Sequence, residues 1–238
     1  MLDVRTLVLA IATCSTVLVM ALGLGTRGQR RDGMEAFFRA VVLQSAASIV
    51  IGARSRLSYA LGLALGNALV SLAVTHYVQA LFEFRGRRFE PRWHAPPAAI
   101  MAATMMALER FEPVRIVAVN AALAAVFGGL AVVSARLPAI PRFTSHRLLA
   151  LGFGAFAAVN LTRAVAALGL WGQPLRMNSV GPLAVGSALV YLTGLIAVSV
   201  GFLMVQKERS ERALEELRDS LEERVNAQVE RLVLDARE

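Results

Sequence analysis

The carboxyl-terminal stretch of this 238-residue chain passes from apolar to charged sequence without any residue that ends a helix. The apolar part, PLAVGSALVYLTGLIAVSVGFLMV, begins at Pro182, and the charged part, KERSERALEELRDSLEERVNAQVERLVLDARE, begins at Lys207. No proline follows Pro182 and no glycine follows Gly201, so the pattern predicts one helix that leaves a membrane and continues into water. At 1.5 Å per residue this helix would be roughly 85 Å long.

Apolar runs of membrane-spanning length recur along the rest of the chain. Hydrophobic residues make up 56% of the sequence and the mean hydropathy is +0.57, which is too apolar for an ordinary soluble domain. The fourth run has a short apolar core, because two prolines begin it and Glu109 ends that core early. The predicted spans are Leu7–Leu24, Ala36–Ile51, Leu57–Phe82, Pro96–Phe111, Ile116–Ser134, Arg147–Leu170 and Val180–Val205.

The distribution of arginine predicts the orientation of these spans. With seven spans and the charged tail in the cytoplasm, inside loops hold eleven arginines and outside segments six. This is the bias of the positive-inside rule, and omitting the fourth span would reverse it for Arg27, Arg30 and Arg31. We therefore predict an all-α membrane protein of the bacterial inner membrane, with the amino terminus outside and the carboxyl terminus in the cytoplasm. Residues 1–205 form its seven-helix bundle, and residues 206–238 form a cytoplasmic coiled coil.

The charged tail has the apolar spacing of a helix that pairs with another helix. Successive apolar positions are separated by 3, 4, 4, 4 and 3 residues, so the heptad pattern contains a stutter, which gives a helix pair two similar packings. Charged residues flank this stripe at helical spacing, for example Glu208 with Arg212 and Arg218 with Glu222. We predict a parallel homodimer, although the tail could instead pack on its own membrane domain. The predicted dimer residues are Leu214, Leu217, Leu221, Val225, Val229 and Leu232.

Seven spans followed by VQKERSERALEELRDSLEERV resemble the amino-terminal sensory region and signalling helix of bacterial membrane signalling proteins. The resemblance covers the whole chain in architecture and implies that a cytoplasmic output domain follows, such as a diguanylate cyclase, a histidine kinase or a class III nucleotide cyclase. The chain departs from that family because it has no GGDEF signature, no phospho-accepting histidine box and no glycine-rich nucleotide loop. Catalysis would therefore lie beyond residue 238, and we predict that the chain itself is not an enzyme.

Polar groups inside the predicted spans are candidates for binding a signal, because they are costly in hydrocarbon. Arg163 is the only ionised side chain deep in a span, and Asn160 lies one turn before it on the same helix face. The predicted ligand-binding set is Arg163, Asn160, Asn67, Asn120 and Gln44. These residues could line an outward-facing pocket for a small anionic or apolar ligand. Alternatively, Arg163 reaches the lipid head groups or pairs with Glu109, and the amides form hydrogen bonds between helices.

Other chemistry has weaker support in the sequence. Cys14 is the only cysteine, and the three histidines, His76, His94 and His146, do not have metal-ligand spacing on one helix. No metal or cofactor is therefore predicted. A pair of histidines from different spans could nevertheless hold haem. Retinal needs a buried lysine, and the only lysine, Lys207, follows the last span. The basic residues lie in short loops between spans, which points to lipids rather than nucleic acid as partners.

Two other functions remain open. A membrane accessory or scaffold subunit would recruit a soluble partner protein through the charged helix. A small transporter would need a polar path through both halves of the bundle, and the inner halves of most predicted spans are nearly devoid of polar residues.

Overall fold

The computed structural model describes residues 13–20, 23, 33–52, 59–137, 145–169 and 182–235. All regular secondary structure in these residues is helical. The helices are α1 (Met34–Gly52), α2 (Tyr59–Phe84), α3 (Ala95–Ala107), α4 (Glu112–Ala135), α5 (Ser145–Ala167) and α6 (Pro182–Asp235), with a 3-10 turn at Pro91–Trp93 before α3. Residues 13–20 are also helical, and most of the first predicted span, Leu7–Leu24, lies outside the described residues.

Five described helices are long and apolar enough to cross a membrane. They correspond to the second, third, fifth, sixth and seventh predicted spans, because long apolar runs have few alternatives to a spanning helix. The chain is therefore an all-helical, multi-pass membrane protein. The spanning segments are Met34–Ile51, Leu61–Phe84, Glu112–Ala135, Ser145–Ala167 and Val185–Arg231.

The fourth predicted span, Pro96–Phe111, forms a shorter helix than expected. Helix α3 has 13 residues, because prolines begin it and a turn at residues 108–110 follows it. Its length of about 20 Å is less than the roughly 30 Å of a hydrocarbon core. It is thus not among the helices long enough to span, and the count of seven spans stays a prediction.

Consecutive helices pack side by side. Contacts join α1 to α2, α2 to α3, α4 to α5, and α5 to α6. Aromatic rings connect these pairs through the core: Tyr77 of α2 contacts Phe37 of α1 and Phe153 of α5, with ring centroids 5.5 Å apart in both cases. Phe37 also stacks on Phe202 of α6 at 4.1 Å, so α1, α2, α5 and α6 share one aromatic cluster.

Glycines form the seam between α5 and α6. A Cβ atom at Gly201 would lie 2.7 Å from the backbone nitrogen of Leu149, and one at Gly152 would lie 2.8 Å from that of Val198. Gly194 faces the ring of Phe156 at a similarly short distance. These glycines let the two helices approach closely, which is how membrane helices gain van der Waals contact. Nothing lies within 4 Å of a Cβ atom at Gly154, so this glycine does not contribute to the seam.

Helix α6 continues without interruption from the bundle into the charged sequence. It has 54 residues, from Pro182 to Asp235, so the predicted continuity across the apolar–charged boundary is confirmed over this range. We call residues 206–235 of α6 the rod. The rod end of the bundle is the end at which α6 leaves it, and the far end is the opposite one.

Candidate functional site

The predicted ligand-binding residues all lie toward the far end of the bundle. Each belongs to a different helix except for Asn160 and Arg163, which are both on α5. The four amides lie about two turns from the far end of their helices, and Arg163 lies about one turn from it. The four amides are buried and Arg163 is half-buried. The bundle thus has a polar layer at this depth, formed by Gln44, Asn67, Asn120, Asn160 and Arg163.

Hydrogen bonds within this layer run mainly along single helices. The side-chain nitrogens of Asn67, Asn120 and Asn160 donate to backbone carbonyls four residues earlier, at 2.8, 2.7 and 2.7 Å. The carbonyl oxygen of the Gln44 side chain is buried without a hydrogen-bond partner. Direct hydrogen bonds do not join the five residues into one network, and a pocket that they share stays a prediction.

Asn160 is the member of this layer that reaches helix α6. Its side-chain nitrogen donates to the hydroxyl of Tyr191 on α6 at 3.0 Å. The Tyr191 ring packs on Phe156 with centroids 4.9 Å apart, and Arg163 is close enough to Tyr191 for an electrostatic interaction. Among the described residues, no ion pair forms between Arg163 and Glu109. Asn160 and Arg163 were predicted from the sequence as site residues, whereas Tyr191 was not.

Arg115 is a second far-end arginine, and its burial was not anticipated. It lies in the first turn of α4 with only 1% of its surface exposed. One guanidinium nitrogen donates to the carbonyl oxygen of Glu109 at 3.2 Å, while Nε has no partner. Arg115 is one of the six arginines that the predicted topology assigns to the outside segments. Its position one residue before Ile116 and one turn before Val119, both buried, is the signal that could have placed it on the inner face of α4.

A histidine–glutamine cluster lies at the rod end of α2. The rings of His76 and His94 are 4.3 Å apart, and both direct a nitrogen at the Oε1 atom of Gln79, at 2.9 and 2.8 Å. Gln79 donates through Nε2 to Glu83 at 2.6 Å, which fixes its Oε1 as the acceptor for both rings. The other nitrogen of His94 faces the carbonyl oxygen of Pro91 at 2.9 Å, so both ring nitrogens of His94 face oxygen atoms.

This arrangement uses the histidines as hydrogen-bond donors rather than as metal ligands. A ligating nitrogen must be free of its proton, whereas His76 Nδ1 and both nitrogens of His94 face oxygen acceptors. The described residues contain no group of three or more histidine, cysteine, aspartate or glutamate side chains placed to hold a metal ion.

Two contacts tie the start of the rod to the bundle. Ser145, the first residue of α5, donates a hydrogen bond to the buried carboxylate of Glu208. Arg209 donates to the backbone carbonyl of Phe84 at 2.8 Å, and its guanidinium lies 5.2 Å from the centre of the Phe84 ring. Glu208, predicted to pair with Arg212, therefore bonds to α5 instead.

Beyond these contacts the apolar stripe of the rod is exposed. The exposed fraction is 64% for Leu214, 57% for Leu217 and 51% for Leu221, and the next two stripe residues, Val225 and Val229, are exposed to a similar extent. The predicted ion pair between Arg218 and Glu222 is present at 2.9 Å. The side chain of Leu232 lies outside the described residues. In the single chain, the described part of the stripe from Leu214 to Val229 does not pack on the membrane domain.

The fold and these contacts define a class: a multi-pass helical membrane protein whose last helix extends well beyond the bundle. Comparison with protein-family models, with curated proteins and with solved structures finds no match to this chain.

Proposed function

We propose that the chain is the sensory and transmitting module of a membrane signalling protein. It would detect a ligand or the state of the membrane within the bundle and relay that state through α6 to a cytoplasmic output domain or partner. The observation that carries the proposal is the unbroken helix from Pro182 to Asp235, which passes the polar layer at Tyr191 and emerges as the rod. In this proposal the chain performs no catalysis itself and needs no cofactor.

The packing of α6 suits it to transmit a displacement. Its far half is linked to the polar layer through the hydrogen bond from Asn160 to Tyr191. Its rod-end half lies against α5 through the glycine seam, where backbone approaches backbone. A change in the polar layer therefore acts on a helix that is held tightly by one neighbour, and close-packed interfaces of this kind switch between discrete arrangements rather than deform gradually.

The proposed signal binds at the polar layer. Arg163 would supply a positive charge for an acidic head group, and Asn160, Asn67, Asn120 and Gln44 would supply amides around it. The unpaired oxygen of Gln44 supports this assignment, since a buried acceptor without a partner is suited to a ligand donor. Arg163→Ala should abolish the response to an anionic signal, whereas Arg110→Ala, an exposed change in the turn after α3, should preserve it.

The proposed location is a bacterial inner membrane, with the amino terminus outside and the rod in the cytoplasm. Arginines concentrate at the rod end of the described bundle, as cytoplasmic loops require. They include Arg39, Arg85, Arg87, Arg88, Arg92, Arg136 and Arg147.

The proposed active form is a homodimer through the rod. Leu214, Leu217 and Leu221 each expose more than half of their side chains in the single chain, and burying such a stripe against a second copy is the usual solution for heptad sequences. The stutter in its spacing would give the pair two similar packings, which suits a switch.

The rod model is tested by changing the rotational phase of the rod in a chain fused to a reporter output enzyme. Inserting four residues after Ser210 turns the distal stripe by about 40° relative to the bundle, whereas inserting seven turns it by only about 20° in the opposite direction. The four-residue insertion should change reporter activity strongly, and the seven-residue insertion should largely restore it. An unchanged response to the four-residue insertion would refute transmission through the rod.

A membrane accessory subunit is the second candidate, because the exposed stripe would equally accept a helix of a partner protein. Native mass spectrometry of the purified chain in mild detergent separates the two. A dimer supports the sensory module. A chain that stays monomeric at every concentration measured supports the accessory subunit. Arg163→Ala should release any small molecule that copurifies at the polar layer.

A further inference from the structure

A basic cavity opens at the rod end, between the bundle and the first turns of the rod. Its volume is about 590 Å³, and it lies between the ends of α2 and α4, the start of α5 and residues 205–212 of α6. Five arginines line it against one glutamate. The charged and titratable lining residues are Arg85, Arg87, Arg136, His146, Glu208, Arg209 and Arg212.

Two of the arginines hold the walls of this cavity in place. Arg85 donates to the backbone carbonyl of Val133 near the end of α4 at 2.9 Å. Arg209 donates to the carbonyl of Phe84 at the end of α2 at 2.8 Å. Both interactions place a cation at a helix carboxyl terminus, where the helix dipole favours it. They also join three separate helices, so the cavity is built from fixed elements rather than from loops alone.

The other three arginines contribute charge without an internal counter-ion. The only acidic lining residue, Glu208, accepts a hydrogen bond from Ser145. Among the described residues, Arg87, Arg136 and Arg212 have no carboxylate within ion-pair distance. Arg87 and Arg136 are exposed to solvent, and Arg212 is half-exposed. Several guanidinium groups that line one cavity suit the oxygens of a phosphate group, to which arginine donates pairs of hydrogen bonds.

We propose that this cavity binds a phosphate-bearing anion. The chemistry is shared by two sources, the head group of an anionic membrane phospholipid and a soluble phosphate compound. The position favours the phospholipid, because basic pockets between spanning helices at the membrane surface are typical head-group sites. Arg209 and Arg212 belong to α6, whereas Arg87 and Arg136 belong to the bundle, so a bound phosphate would connect the rod to the bundle. This site is separate from the polar layer and does not depend on a signalling role.

The lipid source is tested by native mass spectrometry of the full chain in detergent with equimolar phosphatidylglycerol and phosphatidylcholine. The test variant is Arg87→Gln, Arg136→Gln, Arg212→Gln. The control variant is Arg218→Gln, Arg224→Gln, Arg231→Gln, which removes the same charge from the rod. The wild type and the control should retain phosphatidylglycerol about tenfold over phosphatidylcholine, and the test variant should lose this preference. A preference that persists in the test variant would refute a lipid head group in the cavity.

The soluble source is tested with inorganic pyrophosphate added to the chain in lipid-free detergent. A rise in unfolding temperature in the wild type and control, but not in the test variant, would assign the cavity to a soluble phosphate compound. Absence of both effects in the wild type overturns the proposal. If circular dichroism shows that the triple variant does not fold, Arg212→Gln alone replaces it. That single variant should lower the preference for phosphatidylglycerol, or the rise in unfolding temperature with pyrophosphate, at least about threefold. If neither quantity changes, the result counts against the site.

Discussion

Adding one methyl group to the glycine seam between α5 and α6 should destabilise the bundle. In Gly201→Ala the new Cβ would lie 2.7 Å from the backbone nitrogen of Leu149 and 3.0 Å from its Cα. Carbon contacts are normally about 3.5–4.0 Å, so the helices must separate locally by about 1 Å. Because the obstructing atoms are backbone atoms, no rotamer change relieves the overlap.

The expected loss of stability follows from two opposing effects. Overpacking of this kind costs about 1–3 kcal/mol. Replacing glycine by alanine in a helix returns up to about 1 kcal/mol. Gly186→Ala on the same helix is the matched control, because nothing lies within 4 Å of its Cβ, and it isolates the favourable effect. The free energy of unfolding should therefore be about 1–3 kcal/mol lower for Gly201→Ala than for Gly186→Ala.

The assay is titration of each purified variant with a denaturing detergent, followed by near-ultraviolet circular dichroism. If both variants unfold at the same detergent concentration, the close approach of α5 and α6 at Leu149 is wrong. The seam would then contribute nothing specific to the bundle.

Three further changes test other contacts. Tyr191→Phe removes the acceptor that Asn160 uses on α6, and should lower the free energy of unfolding by about 0.5–2 kcal/mol in the same titration. Leu221→Glu should convert the proposed dimer to a monomer in native mass spectra. Ser220→Glu, which replaces an exposed residue beside the stripe, should leave the dimer intact. Gln79→Leu leaves two histidine rings without their shared acceptor and should cost about 1–3 kcal/mol of stability; equal stability would contradict that network.

The sequence predicted those features of the fold that depend only on the hydropathy and length of a segment. Long apolar runs located five helices, and the missing prolines and glycines after Gly201 predicted the continuity of α6. The fourth span was the exception, since apolar composition does not reveal that the turn at residues 108–110 shortens α3. The sequence already showed that Glu109 interrupts this run, and the span was predicted because the distribution of arginines between the loops required it.

The partners of polar residues were harder to predict, because they depend on how each helix is rotated about its axis. Asn160 was identified as a polar residue in a span, but its contact with Tyr191 depends on the orientation of two helices. Arg115 was assigned to an outside segment because hydropathy alone does not distinguish a buried first turn from a loop. His76 and Gln79 have i,i+3 spacing on α2, yet the approach of His94 depends on the 3-10 turn that precedes α3.

The contact between Gly201 and Leu149 also divides α6 into a short part toward the far end and a long part toward the tip of the rod. About 15 Å of helix separates Gly201 from Tyr191, and about 51 Å separates it from Asp235 at 1.5 Å per residue. If α6 pivots as a stiff body at that contact and the contacts of Glu208 and Arg209 with the bundle are released, a lateral shift of 1 Å at Tyr191 becomes a shift of about 3 Å at the tip of the rod. The length of α6 would thus enlarge the lateral displacement between Tyr191 and the tip of the rod. A shorter rod would have a proportionally smaller displacement at its tip.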